Sequence, residues 1–531
     1  MSDSDIIKRI NKEGEEMKLK TLMEGLSYEE YKGNLPEDRE ITSVTNDSRK
    51  VQEGSLFVAI KGYLQDGHDY LEAARSKGAA AAVVTEFRED LDIVQIRVLN
   101  TREALSMLSA KLQNHPTRKL RMVGITATNG KTTTSYILDH IYSMAGYKTG
   151  LIGSVMIKVG ERFIHSELTT PESSDLQVIF SEMVEEKIEK TIMEVSSSAL
   201  ELYRVHDVDF DIVAFNNFSR EHIDQHGSLE KYYEAKSSLV RNAKEGSFAV
   251  LNQDDEVTYG LRGETRAHVI TFSTKDDSAD LYCSDLDLSS GRAKFVLKIR
   301  QDIVGLDGMI EKGEYPVSLM VPGFHSVVNS MSAMAMALID GVKIQDVINA
   351  VETFGGVERR FQYIYDDEFI IIDDHFANMS NIDMTLESLV KLDYNKLHLV
   401  YAIRGNRGTT VNKENIVTLL KWREKLHMNE IIGTKSEEFV TSKDRVTEKE
   451  LRVFNEELEK SDLKVTLFEE LKESIYYAID KAEPGDVILL AGSQGMDHGA
   501  RIALEYIYKK NEQKDKEKLF APLKGRVSDM A

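Results

Sequence analysis

A lysine that follows a glycine, with three threonines behind it, closes the stretch Val123-Gly-Ile-Thr-Ala-Thr-Asn-Gly-Lys-Thr-Thr-Thr134. In front of it runs a short apolar segment, Leu120 to Ile125, and behind it Ser135, Tyr136, Ile137 and Leu138 begin a helical pattern. This reads as strand, phosphate loop and helix. Such a turn aims successive backbone N–H groups and a helix N-terminus at an anion. Lys131 then reaches terminal phosphates, and the Thr132 hydroxyl can sit on a magnesium ion. Thr128, Asn129, Gly130 and Thr133 complete the candidate nucleotide loop. Gly124 and Gly130 are separated by five residues, one more than in the common pattern. A bare G-K-T also occurs in plain turns, so the rest of the chain has to decide.

Four further clusters follow in order. Leu168-Thr-Thr-Pro-Glu-Ser173 comes first, then Met193-Glu-Val-Ser-Ser197 after the apolar start of a strand, which sets the Glu194 carboxylate beside the phosphates. Phe218-Ser-Arg-Glu-His-Ile-Asp-Gln-His226 and Tyr232-Tyr-Glu-Ala-Lys236 come next. Each has a plain reading: Glu194 pairs with a surface lysine, His222 is a satisfied loop histidine, Lys236 is a solvated helix residue. Their fixed order behind one phosphate loop favours the chemical reading.

The elements that must position these residues alternate strand and helix from about 119 to 356. That predicts a mostly parallel sheet with ligands at the carboxyl ends of its strands. From about Arg266 to Met320 the pattern turns β-rich, read as an antiparallel insertion, and the Pro322-Gly-Phe-His-Ser-Val-Val-Asn329 stretch precedes a helix from Ser330 to Leu338. Residues 1–118 read as a small α/β domain with strands at Ile41–Val44, Ser55–Ile60 and Ala79–Thr85 and a helix at Tyr70–Lys77, after a polar extension over 1–16. From 357 to 531 the buried strands Phe369–Asp374, Leu397–Ala402 and Asp486–Gly492 predict a second doubly wound domain. The tail from about 510 has no apolar periodicity and reads as mobile.

With 531 residues, 41% of them hydrophobic, the chain can bury several cores, about three domains' worth. A net charge of −22 argues against nucleic-acid or anionic-membrane partners. One cysteine, Cys283, allows no intramolecular disulfide and fits a reducing cytoplasm. Neither a signal peptide's apolar core nor a run of ~20 apolar residues is present.

Thr45-Asn-Asp-Ser-Arg-Lys-Val-Gln-Glu-Gly54, Leu56-Phe-Val-Ala-Ile-Lys-Gly62 and the clusters above together resemble the Mur ligases, in the branch that adds the third residue of the cell-wall peptide, across roughly residues 17 to 505. The resemblance implies three domains: a small N-terminal α/β uridine-nucleotide-binding domain (1–118), a central P-loop parallel-sheet ATPase domain (119–356) and a C-terminal Rossmann-like ligase domain (357–531). It implies that Ser48, Thr169, Thr170, Ser196 and Arg204 meet a UDP-activated sugar-peptide, and that Asn329, Arg360 and Arg407 join the loop in binding ATP. Thr132, Glu194, His222 and a carbamylated Lys236 would hold magnesium, with Lys131, Glu194, His222 and Lys236 as the catalytic set.

The implied activity is ATP-dependent amide ligation through an acyl phosphate, most simply on UDP-N-acetylmuramoyl-L-alanyl-D-glutamate, by a cytoplasmic monomer. The chain departs from the family pattern in the third domain. Arg404-Gly-Asn-Arg407 stands for G-G-D-R, Ala377 replaces a histidine, His325 replaces an asparagine, and the D-N-P-R tetrad that clamps diaminopimelate is absent. A rebuilt acceptor pocket over residues 404–413 and 492–501 is expected, involving Asp374, Asn378 and Arg501, for an amino acid other than diaminopimelate or lysine. Rival readings are a divergent ligase for another carboxylate or amino acid, folylpolyglutamate synthetase, which lacks the D-S-R domain, and a non-catalytic nucleotide-sugar binder.

Overall fold

The computed structural model describes residues 16–33, 38–62, 65–220, 226–288, 292–524 and 526. Contacts divide the chain into two compact units: Met1–Tyr282 with Arg300–Glu311 and Ser332–Lys343, and Cys283–Ile299 with Lys312–Met331 and Ile344–Ala531. Each is α/β.

The first unit begins with a five-stranded sheet in the order Glu30–Lys32, Gln95–Arg97, Ala81–Val84, Ser55–Val58, Ser43–Thr45. Only the Glu30–Lys32 edge is antiparallel. Short, wholly buried runs such as Ala81–Val84 suit strands covered on both faces. The Thr101–Leu112 helix starts where the Asn100 side chain accepts the Arg102 and Glu103 amides, and it buries Ala104, Leu105 and Leu108 against this sheet's core.

The same unit carries the sheet that holds the phosphate loop. Its parallel strands lie in the order Thr149–Ile152, Lys190–Glu194, Arg121–Thr126, Ile212–Phe215, Phe248–Asn252, His268–Ser273. An antiparallel hairpin, Met156–Val159 with Arg162–His165, extends one edge. The β-rich stretch thus departs from expectation: His268–Ser273 pairs in parallel with Phe248–Asn252, and Leu281 and Tyr282 continue in parallel. The short Glu256–Gly260 helix supplies the crossover that a parallel neighbour requires.

Within the β-rich stretch the antiparallel ribbon belongs to the second unit, where Arg292–Ile299 pairs with Gly313–Pro322. The helix after this ribbon starts at Phe324, six residues ahead of expectation, so His325 and Asn329 lie within it and not in a loop before it. Pro322 and Gly323, the latter at φ 88°, turn the chain directly from strand into helix.

The second unit's main sheet runs Gln362–Asp366, Ile370–His375, Val487–Gly492, Leu397–Ala402, Glu430–Thr434, Lys464–Phe468. All but the first strand are parallel. The helices Met379–Leu389, Thr409–Trp422 and Glu448–Leu458 cover one face, and Leu471–Lys481 with Gly499–Lys510 cover the other. This is the doubly wound arrangement expected from the three apolar strands.

The expectation of a mobile tail is corrected over its described part. Leu519 and Leu523 join the core beneath the Gly499–Lys510 helix, and Arg526 is buried with its guanidinium on Asp373 and on Gln362. Two apolar residues four apart gave no periodicity to detect, yet they suffice to seat a single turn.

Candidate active site

The Arg121–Thr126 strand ends at Ala127, and the Lys131–Met144 helix begins after Gly130. Gly124 belongs to the strand, which explains the extra residue in the motif. A Cβ there would meet the Phe210 ring at 2.7 Å, so this glycine serves packing and not the loop. Gly130 caps the helix at φ 88°, a left-handed position that any other residue would strain.

Polar contacts fix the loop from outside. The Thr128 amide donates to Asn217 O (3.0 Å) and the Asn129 amide to Asn217 Oδ1 (3.0 Å). The Thr128 hydroxyl lies 3.2 Å from Tyr232 Oη. None of these partners carried a sequence signal beyond its neighbourhood to the predicted clusters.

Two lysines converge on this loop. Lys131 Nζ donates to Ala127 O at 2.8 Å and to Thr128 O at 3.2 Å. Lys236, 1% exposed on the Leu229–Arg241 helix, donates to the same Ala127 oxygen at 2.7 Å and to Thr126 Oγ1 at 3.3 Å, and lies over the Tyr232 ring. The solvated-lysine reading of Lys236 is excluded by its burial.

Glu194, fully buried at the end of the Lys190–Glu194 strand, accepts the Thr132 hydroxyl (3.0 Å), the Ser154 amide (3.0 Å) and the Ser154 hydroxyl (3.1 Å). Among the described residues no lysine, arginine or histidine stands within ion-pair distance of it, so the surface-pair reading also fails. A buried carboxylate surrounded only by neutral donors is the kind of group that takes a cation. Thr132 Oγ1 and the Glu194 oxygens are hard oxygen donors, the type magnesium prefers, and this donor set fits that ion. His222 lies outside the described residues. His226, close by in sequence, is a buried structural histidine between Ser197 Oγ (2.9 Å) and Glu201 (2.9 Å).

Ser154, which the sequence reading missed, links this centre to the T-T-P-E element, its hydroxyl 3.0 Å from Thr169 Oγ1. The Gly153-Ser154 pair just after the Thr149–Ile152 strand was the available signal, a small turn at a carboxyl strand end. Thr170 Oγ1 donates to Glu194 O (2.8 Å) and accepts from the Ser196 amide (3.1 Å). Arg204 donates to Thr170 O (3.0 Å) and pairs with Glu172 (2.6 Å). Thr169, Thr170, Ser196 and Arg204 are thus one hydrogen-bonded group beside Glu194. Ser48 sits on the turn after Ser43–Thr45, and Lys50 of that turn reaches Asp175 in the first turn of the Ser173–Glu185 helix, which T-T-P-E leads into (2.7 Å).

In the second unit Asn329 is buried on the Phe324–Ile339 helix. Arg360 is half-buried on a turn bridged to Val357, while its neighbour Arg359 is buried and bonded to Gly492 O, Ser493 O and Asp497. Arg407 pairs with Asp444 at 2.9 Å and is largely exposed. The amides of Asn406, Arg407 and Gly408 all donate to the buried Glu450 carboxylate at 2.9–3.0 Å. Burial would raise the Glu450 pKa, but these amides with the Thr447 amide and hydroxyl hold it below the usual value.

The three acceptor candidates each have contacts of their own. Asp374 is buried, accepting the Phe361 amide (2.7 Å) and the Thr385 hydroxyl, and burial raises its pKa. Asn378 caps the Met379–Leu389 helix through the Asn381 amide. Arg501 has an exposed side chain 4.0 Å from Glu505 on its own helix, a poor place for a clamp.

Family models match three consecutive parts of the chain: the Mur ligase family catalytic domain at residues 40–113, the Mur ligase middle domain at 125–337, and the Mur ligase glutamate ligase domain at 359–494. A Bacillus cereus protein named UDP-N-acetylmuramoyl-L-alanyl-D-glutamate–2,6-diaminopimelate ligase is 34% identical over 484 residues, covering 90% of this chain and 93% of the relative. A Caldanaerobacter subterraneus protein of the same name is 32% identical over 482 residues, 90% of this chain and 94% of its own. Among solved structures, a ligase of that name superposes with a TM-score of 0.63 at 23% identity, covering 90% of this chain and 94% of the other. The MurF ligase of Thermotoga maritima in complex with ADP gives 0.56 at 19%, covering 89% and 98%. These two likenesses carry the three-domain fold. Order of motifs, fold, and identity along nine-tenths of the length agree: the chain belongs to the Mur ligase family.

Proposed function

We propose that this enzyme joins an amino acid to the D-glutamyl end of UDP-N-acetylmuramoyl-L-alanyl-D-glutamate at the expense of ATP, as a cytoplasmic monomer whose domains meet near residues 118/119 and 356/357. The observation that carries the reading is Glu194, a buried carboxylate with no cation within ion-pair distance among the described residues, bonded on one side to the phosphate-loop Thr132 and on the other, through Ser154, to Thr169.

The glutamyl carboxylate attacks the γ-phosphate of ATP, giving an acyl phosphate and ADP; the amine then adds to the acyl carbon and phosphate leaves. In this reading the loop amides and Lys131 bind the phosphates, and the Thr169–Thr170–Ser196–Arg204 group orients the sugar-peptide. Positioning and charge do most of the work in phosphoryl transfer. Thr132 and Glu194, with His222 and a modified Lys236, would hold magnesium, which supplies neutralisation of the phosphates' charge when bound. Asn329, Arg360 and Arg407 are the proposed nucleotide contacts of the second unit.

Carbamylation of Lys236 is supported by its surroundings. Two ammonium groups on one carbonyl oxygen repel each other, and addition of CO2 to the Lys236 amine, with two protons lost from the original ammonium in all, replaces a buried cation by a carboxylate. The added amino acid is proposed to be neither diaminopimelate nor lysine, since no D-N-P-R tetrad is present.

The test supplies ATP, magnesium, UDP-N-acetylmuramoyl-L-alanyl-D-glutamate and an equimolar pool of the common amino acids with ornithine and diaminopimelate. Phosphate release matched by a product one residue heavier is expected. Absence of product would remove the ligase reading, and dominant incorporation of diaminopimelate or lysine would remove the altered specificity.

A further inference from the structure

The carboxyl edge of the second unit's sheet contains an arginine, Arg404, that makes no ion pair among the described residues. Arg404 follows the Leu397–Ala402 strand, in the place where the family pattern has the first glycine of G-G-D-R. Its main chain is pinned by Asn412, whose Nδ2 donates to Arg404 O at 2.8 Å. One guanidinium nitrogen donates to Ala377 O, beyond the end of the Ile370–His375 strand.

The Val487–Gly492 strand lies between those two, so the Arg404 side chain reaches across that strand's mouth. The helices after the two flanking strands go to one face of the sheet, and the helix after Val487–Gly492 goes to the other. The loops therefore part here, and a crevice at the carboxyl ends of such strands is where open α/β sheets bind ligands. Close approach is built in: a Cβ on Gly492 would meet the Ala402 Cβ at 2.7 Å.

Two other arginines of this edge each have an acid. Arg359 has Asp497 and Asp373, and Arg407 has Asp444. Among the described residues no carboxylate stands within ion-pair distance of Arg404, and its buried Nε has no hydrogen-bond partner. Ala377 O is a neutral acceptor; burial and then the neighbouring Arg407 disfavour the Arg404 charge, and Asp444 favours it only from beyond ion-pair distance. His375 adds no negative charge: enclosure, then Arg360, Arg359 and Arg404, push its pKa well down, so it is neutral near pH 7. A desolvated guanidinium with a spare donor is costly unless an anion completes it.

We propose that Arg404 binds the carboxylate of the incoming amino acid, restoring from a different strand end the clamp that the missing tetrad would supply. The assignment rests on the ligase reading above. It narrows the acceptor to a free α-amino acid and excludes esters and amides.

Wild type, Arg404→Gln and Arg404→Lys are assayed with ATP, the UDP-sugar dipeptide and whichever amino acid the wild type draws from the pool, and again with that amino acid's α-carboxamide. Loss of a charged hydrogen-bond pair should raise the amino acid KM roughly 10- to 100-fold in Arg404→Gln and leave the ATP KM within about twofold. Arg404→Lys should fall between, and Arg404→Gln should cease to prefer acid over amide. The wild type's own preference for acid over amide, by the same factor, is expected whether or not the variants fold. A raised ATP KM with an unchanged amino acid KM would assign the site to a nucleotide phosphate, and either that result or a wild type indifferent to the amide would overturn the proposal. A wild type that makes no product fails at the ligase reading itself, before any variant is compared.

Discussion

Lys131 and Lys236 donate to one and the same acceptor, the main-chain oxygen of Ala127, at 2.8 and 2.7 Å. Two cations on one carbonyl oxygen repel each other, and loss of either should register in activity. Lys131→Ala should lower kcat at least about hundredfold with the fold intact, since the side chain fills no core. Lys236→Ala should be inactive and regain part of its activity with formate or acetate, which can stand in for a carbamate. Full activity of Lys236→Ala without added acid, or an intact-mass and structural record of an unmodified amine in the turning-over enzyme, would count against the modification.

Glu194→Gln separates charge from shape. The amide oxygen can still accept from Ser154, so the variant should fold, and without a buried uncompensated charge it should melt no lower than wild type in metal-free buffer. Magnesium should raise the wild-type Tm, a ligand at a hundred times its Kd adding about 2.7 kcal/mol, and leave the variant's Tm unmoved. An equal response in both proteins would place the ion elsewhere.

At the opposite, amino end of the same sheet Asp340 is buried among Tyr142 Oη (2.7 Å), Lys190 Nζ (2.9 Å) and Arg121 Nε (3.1 Å). Asp340→Ala leaves Lys190, itself buried, with only the more distant Asp307 at 3.8 Å and should cost about 3 kcal/mol. Urea unfolding should record that loss while the KM for ATP stays put, because the loop lies at the far end of the strands.

His375 makes a pH prediction. Its folded pKa is depressed, so below about pH 6.5 the unfolded chain binds a proton that the native one refuses, and stability falls as pH falls through that value. Going from pH 6.5 to 5.5 should cost wild type about 1 kcal/mol more than it costs His375→Gln. Parallel urea midpoints for the two proteins over that range would show that the imidazole titrates normally.

The sequence announced what phosphate chemistry demands in a fixed order. The loop and Glu194 sit at strand ends that a parallel sheet brings together, and Lys236 lies on the helix packed beside them, so their places were readable. Ser154 and Asn217 were not, because a hydrogen bond to a loop depends on which strands are neighbours, and strand order is a tertiary fact. Asn329 was expected just before a helix that in fact starts at Phe324, since propensity fixes element ends poorly beside a Pro-Gly turn. Arg404 went unweighed for the opposite reason. Compared with a glycine pattern it looked like a lost feature, and only its missing carboxylate partner gives it meaning.

Glu450 has a consequence for how the molecule handles nucleotide. Three consecutive amides at the start of the Thr409–Trp422 helix have the form of a second anion cradle, and the chain plugs it with its own carboxylate. A triphosphate would have to evict an internal anion to settle there, so the third domain offers ATP no decoy berth. Replacing that one acid with alanine would unblock the berth, turning a single-address enzyme into one that its own fuel could clog.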